Sequence, residues 1–472
     1  MTQSSLESVA SPTTGRLSPP PPVGSPERAK PVSRQRKASV AAVALLPYLW
    51  FLITTPYNRF SILATIHLER ILVVVILASA VLVARLHPRF PLLSRFLLAM
   101  FGIELLSYLT SNYAQVAPAS WWISEYWKLM VFHFLFVWIL SSMEDVKCIL
   151  KGHAIISLLY QLHSWSDFVR GGSYVYQQGF RRLVGVWDSG GAGAGNAMGS
   201  LAVFTLPFVT FCYRDSTNAL SRAVFWSSHG LCLLSVIFSG TRAALACSLV
   251  YACYVFLELR SSKKVTLLLG FVAVLILGSL TLPEDYWRRQ TGWLLGSYDE
   301  TSAAERLARR TASSRIEGLV DGFTLARANP ILGTGPGTSA MARAVLRGDT
   351  RAIAALKTEI DPPNAPLQLH NLYGQIVAET GFIGFGIFIT MIAVAWICAT
   401  RLVRRAAKLR SNPEAVRVAN VGRMLKAALV VLTCYGMFSH TLYDYRWLLI
   451  IGLLAAWYRI GPRVIADDTP GK

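Results

Sequence analysis

His370 opens the run HNLYGQIVAETGFIG, Arg242 sits in SGTRAA, and Arg315 begins RIEGLVDGFTLARANPILGTGPG. An imidazole near its ordinary pKa can take a proton from a hydroxyl at neutral pH. Guanidiniums hold phosphate oxygens through paired N–H donors. Together these groups suit displacement at a diphosphate, a leaving group that needs its charge neutralised more than it needs a proton. Divalent-metal chemistry of that kind uses carboxylates, but the sequence has no Asp-x-Asp pair, and Asp467-Asp468 fall in the C-terminal tail. The expectation is therefore no metal and no cofactor, with arginines supplying the positive charge.

The elements that must position these side chains are apolar helices. Of the 472 residues, 53% are hydrophobic and only 15% charged, and the mean hydropathy is +0.43. Apolar runs recur at lengths near the roughly 20 residues that cross a bilayer as a helix, where each backbone group is satisfied within its own segment. The reading is an all-α integral membrane protein of about twelve spans. They fall at 39–56, 64–84, 92–111, 122–141, 147–166, 194–213, 222–239, 242–259, 265–283, 369–399, 424–440 and 446–462. The expected organisation is a Pro/Ser-rich disordered cytoplasmic tail over 1–37, spans one to nine over 38–283, and a large periplasmic loop over 284–368. Spans ten to twelve follow over 369–462, then a cytoplasmic tail over 463–472. The seven cysteines show no CxxC or metal-like spacing and read as small buried apolar residues.

A net charge of +20 could suggest nucleic acid, but the distribution of Lys and Arg argues against it. With the N-terminal tail inside, cytoplasmic segments hold about twenty-seven Lys/Arg and the short outer loops about six, as the positive-inside rule requires. The long loop is left out of that count because long loops cross largely regardless of charge. Both termini are then cytoplasmic. Arg181, Arg182, Arg242, Arg315, His370 and Arg446 all lie on the far side. One such arginine could be a snorkelling side chain; the group beside a large loop points to an anionic ligand.

Within that loop Ser314-Arg-Ile-Glu317 reads as a capping box, with Arg315 at the first helical position beside free backbone N–H groups. Ile316, Leu319, Val320 and Phe323 form one stripe, Asn329-Pro330 ends the helix, and Gly333-Thr-Gly-Pro-Gly337 makes a tight turn. Tyr373 shares a helical face with His370, and Gly374 removes bulk beside the imidazole. Glu379 lies half a rotation away from His370 and cannot orient it from within the same helix. Gly381, Gly384 and Gly386 read as close-packing positions. Glu69, Arg70, Glu125 and Lys128 lie near span ends, where they can snorkel or pair, whereas Glu104 lies deeper and needs a partner. His163, His440 and Asp444 are rival outer bases.

These motifs resemble those of the O-antigen ligase / O-antigen polymerase superfamily of bacterial membrane glycosyltransferases, over roughly residues 180–460. The resemblance rests on Ser239-Gly-Thr-Arg242-Ala, Arg315, Asn329-Pro-Ile-Leu-Gly333-Thr-Gly335, His370-Asn-Leu-Tyr373 and Glu379-Thr-Gly381-Phe-Ile-Gly384. It implies a GT-C-like fold in the bacterial inner membrane and a metal-independent, inverting reaction at the periplasmic face. By matched motif, His370 activates the acceptor hydroxyl, while Arg242 and Arg315, with Arg182, hold undecaprenyl diphosphate. Arg446, Tyr373 and Asn371 are further candidates for substrate contact. The chain departs from the family in the Gly-Ala-Gly-Ala-Gly run before Asn196 and in Gly374, where a larger aliphatic residue is common.

The implied partners are an undecaprenyl diphosphate-linked glycan donor, a glycan or lipid A-core acceptor, and the bilayer itself, with no nucleic acid. A ligase joining finished O-antigen to lipid A-core is the leading reading. A polymerase for O-antigen or exopolysaccharide and a protein O-glycosyltransferase share its donor half. A transporter is the alternative of a different class, and paired broken helices and repeated halves are absent from the sequence pattern.

Overall fold

The computed structural model describes residues 37–82, 90–114, 119–120, 122–177, 180–188, 194–259, 303–358, 368–409 and 411–467, with scattered positions between 264 and 290. The described helices begin with α1 (Val40–Thr54), α2 (Ser61–Thr65), α3 (Leu68–Leu82) and α4 (Leu92–Thr110). A π turn over Trp122–Tyr126 leads into α5 (Trp127–Ile139), followed by α6 (Met143–Val169), α7 (Ala194–Asp215), α8 (Ala219–Ser239) and α9 (Arg242–Glu258). After these come α10 (Ala303–Ala328), α11 (Ser339–Arg347), α12 (Thr350–Thr358), α13 (Leu372–Lys408), α14 (Pro413–Gly436) and α15 (Tyr445–Asp467). Five helices are long and apolar enough to cross a membrane by length and composition: α4, α7, α8, α13, and α15 over Tyr445–Ala466. Most of the range 265–283 and nearly all of the N-terminal tail lie outside the described residues.

The helices pack through apolar faces. α7 lies against α6, α8 and α14, while α13 lies against α4, α10 and α14. Trp457 of α15 is fully buried, and its indole N–H donates to Val418 O of α14 at 3.1 Å. The start of α6 is fixed by a capping box between Ser142 and Asp145, and Asp145 also accepts from Ser39 N at 2.8 Å. Among the described residues, one antiparallel hairpin interrupts the helical pattern, β1 (Tyr174–Gln177) with β2 (Phe180–Leu183), in the register Val175↔Arg182.

Three local expectations are corrected. α10 starts at Ala303, so Ser314 is not an N-cap and Arg315 sits mid-helix, away from any free N–H groups. The Ala-rich, Arg-rich stretch upstream is itself a strong helix former and carries the helix through the local capping signature. Gly374 does not make room for the imidazole. A Cβ there would meet Gly318 O at 2.4 Å, so Gly374, with Gly318 and Gly322, lets α10 and α13 touch backbone to backbone. Gly386 has open space beside it, and Gly381 is the site of a break rather than of helix packing.

That break shapes the region. Gly381 has φ 65° and ψ −170°, a conformation suited to glycine, and it interrupts α13. The turn after α10 docks into the gap: Thr334 N donates to Ala378 O at 2.8 Å, Gly335 N to Glu379 O at 3.1 Å, and Phe382 N to Pro330 O at 2.9 Å. Ser107 of α4 donates to Glu379 O at 2.7 Å. The backbone groups freed by the break therefore find partners. A cavity of about 380 Å³ is lined by Tyr373 and Ile389 together with Ile392, Trp396, Leu429 and Thr433. The lining residues come from both sides of the Gly381 kink in α13.

Candidate active site

His370 precedes α13 and has φ 46°, an uncommon conformation for a side chain of this size. The residue keeps part of its surface accessible. Asn371 explains how this position is held. Its Oδ1 accepts from Gly374 N at 3.0 Å as the helix N-cap, while its Nδ2 donates to Met437 O at 3.1 Å and Arg315 O at 3.5 Å. Buried Asn371 thus ties the α13 start to α10 and to the segment after α14. The His370 ring packs against His440, with centroids 5.2 Å apart.

Arg315 lies over the Phe438 ring at 5.6 Å. Its pKa is lowered, first by burial and then by Arg242, with Tyr435 acting the other way. Arg242 is the first residue of α9, placed there by Gly240 in a left-handed turn at φ 61°. Partial burial, then Arg315 and Arg343, push the His370 pKa below its ordinary value, so the imidazole is neutral at pH 7. Burial, and next His370 itself, hold His440 down at about 3.

Arg182 and Arg446 are nearby but engaged. Buried Arg182 donates from Nε to Ser239 O at 2.7 Å, from Nη2 to Asn196 Oδ1 at 3.0 Å, and from Nη1 to Gln177. It therefore braces the turn that launches Arg242. Burial draws its pKa to about 10, leaving it charged at neutral pH. Arg446 is ion-paired with Asp444 and donates to Ser200 Oγ at 2.9 Å. Tyr373 turns away from the cluster, its hydroxyl donating to Thr433 O at 2.9 Å beside the apolar cavity.

Sequence reasoning missed Tyr435. Its hydroxyl donates to Asn196 O at 3.2 Å, and it lies within electrostatic reach of Arg182, Arg315 and Arg446. Within an apolar helix it carried no separate signal. Glu379 is not part of the imidazole's surroundings: Ser339 Oγ and Tyr443 OH each donate to it at 2.6 Å. Glu104, fully buried, faces Trp122 and Glu379. Lys128 pairs with Glu125 at 2.6 Å.

A family model described as O-antigen ligase matches residues 229–389. That stretch is similar to the O-antigen ligase domain. The matched stretch contains Arg242, Arg315, His370 and the Gly381 break, whereas Arg182, Tyr435 and Arg446 lie outside it. The likeness supports glycosyl transfer of the ligase or polymerase type. No curated protein matches the chain.

Proposed function

We propose that the protein is a metal-independent, inverting glycosyltransferase that moves a glycan from undecaprenyl diphosphate to a sugar hydroxyl at the periplasmic face, as an O-antigen ligase acting on lipid A-core. The observation that carries this reading is a neutral imidazole in a left-handed backbone conformation, beside two neighbouring guanidiniums, inside the stretch that matches the ligase family. The organisation into about twelve spans, with the cluster at the outer ends, is part of the same proposal.

In the reaction, the acceptor hydroxyl attacks the anomeric carbon from the face opposite the diphosphate, inverting the configuration. His370 takes the hydroxyl proton as the new C–O bond forms. Its depressed pKa suits it to accept a proton late, when the hydroxyl oxygen is already bonding to carbon. Arg315 and Arg242 meet the charge that builds on the departing diphosphate. Charge-assisted contacts of this kind contribute about 1.5–3 kcal/mol each, a useful share of a barrier reduction of about 8 kcal/mol or more. Arg182 acts through its brace on the Ser239–Arg242 turn rather than by touching phosphate. Arg446, half of an ion pair, and Asn371, a cap, are placed as supports.

The test is reconstitution of the purified protein with lipid-linked O-antigen and lipid A-core. Glycan appearing on lipid A-core supports the ligase; lengthening of the glycan on its own lipid carrier makes it a polymerase instead. Transfer should continue in excess chelator, and a loss restored by magnesium would overturn the arginine-based mechanism.

A further inference from the structure

Two cysteines that are 187 residues apart in sequence meet in the structure. Cys247 of α9 and Cys434 of α14 have their Sγ atoms 3.3 Å apart, both as free thiols. Cys247 is fully buried, whereas Cys434 is partly accessible and neighbours Thr433 at the wall of the apolar cavity. Each lies within two turns of the end of its helix that faces the arginine cluster: Cys247 follows Arg242, and Cys434 precedes Tyr435. Among the described residues, no second pair of cysteine sulfurs meets in this way.

We propose that Cys247 and Cys434 are a disulfide site, a covalent strap between the helix that begins with Arg242 and the helix that carries Tyr435. A disulfide bond is about 2.05 Å long, so the sulfurs must close by little more than 1 Å, within the reach of side-chain rotation and small helix shifts. The oxidant is a second disulfide, of a small molecule or an oxidoreductase. Cys434, the accessible thiol, loses its proton to solvent and attacks one sulfur of that disulfide, releasing one thiolate. Cys247 then loses its proton and attacks Cys434 Sγ, releasing the second thiolate. Two protein S–H bonds and one S–S bond of the oxidant are exchanged for one protein S–S bond and two thiols. Such bonds persist in an oxidising compartment, and the outward placement proposed above would put the pair beside one. The chemistry itself does not depend on that placement.

The experiment uses membranes containing the full chain, treated with 2,2′-dithiodipyridine, a small apolar disulfide. Remaining thiols are then alkylated, and the digested protein is mapped by mass spectrometry. The expected result is that most chains yield the Cys247 and Cys434 peptides joined and two hydrogens lighter than their sum, with the joint abolished by reductant. Cys247→Ala should leave Cys434 as a mixed disulfide with the probe. Recovery of both cysteines alkylated, or of Cys434 joined to a different cysteine, overturns the strap. Because the readout is a peptide linkage, it stands or falls independently of glycan transfer.

Discussion

Two sides of α10 use arginine in opposite ways. On one side, Arg315 faces Arg242 and the Phe438 ring, and among the described residues no carboxylate comes within ion-pair reach of it. On the other, Glu317 and Asp321 hold two arginines of α11: Arg343 Nε lies 2.6 Å from Asp321, and Arg347 lies 2.7 Å from Asp321 and 3.2 Å from Glu317. Arg343 also donates to Gln368 O at 3.3 Å, two residues before His370. The second set fixes the loop helices and the approach to the imidazole; Arg315 has no carboxylate partner among the described residues. A cluster of guanidiniums shows where an anion belongs only once the neighbouring acids have been accounted for.

The comparison can be broken in four places. His370→Ala should cost the most, lowering transfer by about 10²- to 10⁴-fold while the protein still accumulates in membranes; near-normal turnover would remove the imidazole from the chemistry. Arg343→Ala should act on stability instead, because it removes the buried guanidinium from Asp321 and leaves only the exposed Arg347 to hold it. A loss of about 1.5–3 kcal/mol is expected from thermal or denaturant unfolding in detergent.

Arg315→Gln should lower kcat/KM by about 10- to 150-fold, equivalent to about 1.5–3 kcal/mol, with little change in stability. It should also move the pH profile. Transfer needs neutral His370, so activity rises with pH through a value below 6.5 and then levels off. Arg315 is one of the charges that depress that value, so removing it should shift the acid limb upward, toward ordinary histidine. An unmoved limb would separate Arg315 from His370. Arg347→Ala should cost least, under about 1 kcal/mol, because Arg347 and Glu317 are both exposed and Arg343 still holds Asp321. A loss as large as that for Arg343 would erase the distinction between buried and exposed partners.

Much of this was legible in the sequence. The apolar runs pointed to helices, and the basic residues read onto the outer face included Arg242 and Arg315; in the structure Arg315 lies within electrostatic reach of both Arg242 and His370. What could not be read was which arginines already have partners. Arg446 and Arg182 looked like Arg315 in the chain, yet Asp444 neutralises one and Ser239, Asn196 and Gln177 absorb the other. The Gly381 break was hidden because hydropathy runs through it unchanged; only the docked turn at Thr334 and Gly335 shows where the broken helix finds its missing bonds. The Ser314 cap failed for the opposite reason, a local signature outweighed by helix formers upstream.

The backbone at position 370 sits where glycine is at ease and histidine is not. Putting glycine there should make the protein roughly 1 kcal/mol steadier while silencing it. Imidazole added to the medium would have a vacated berth to enter, so partial recovery of transfer by the free base is the signature of a side chain kept for its chemistry at the expense of the fold's comfort.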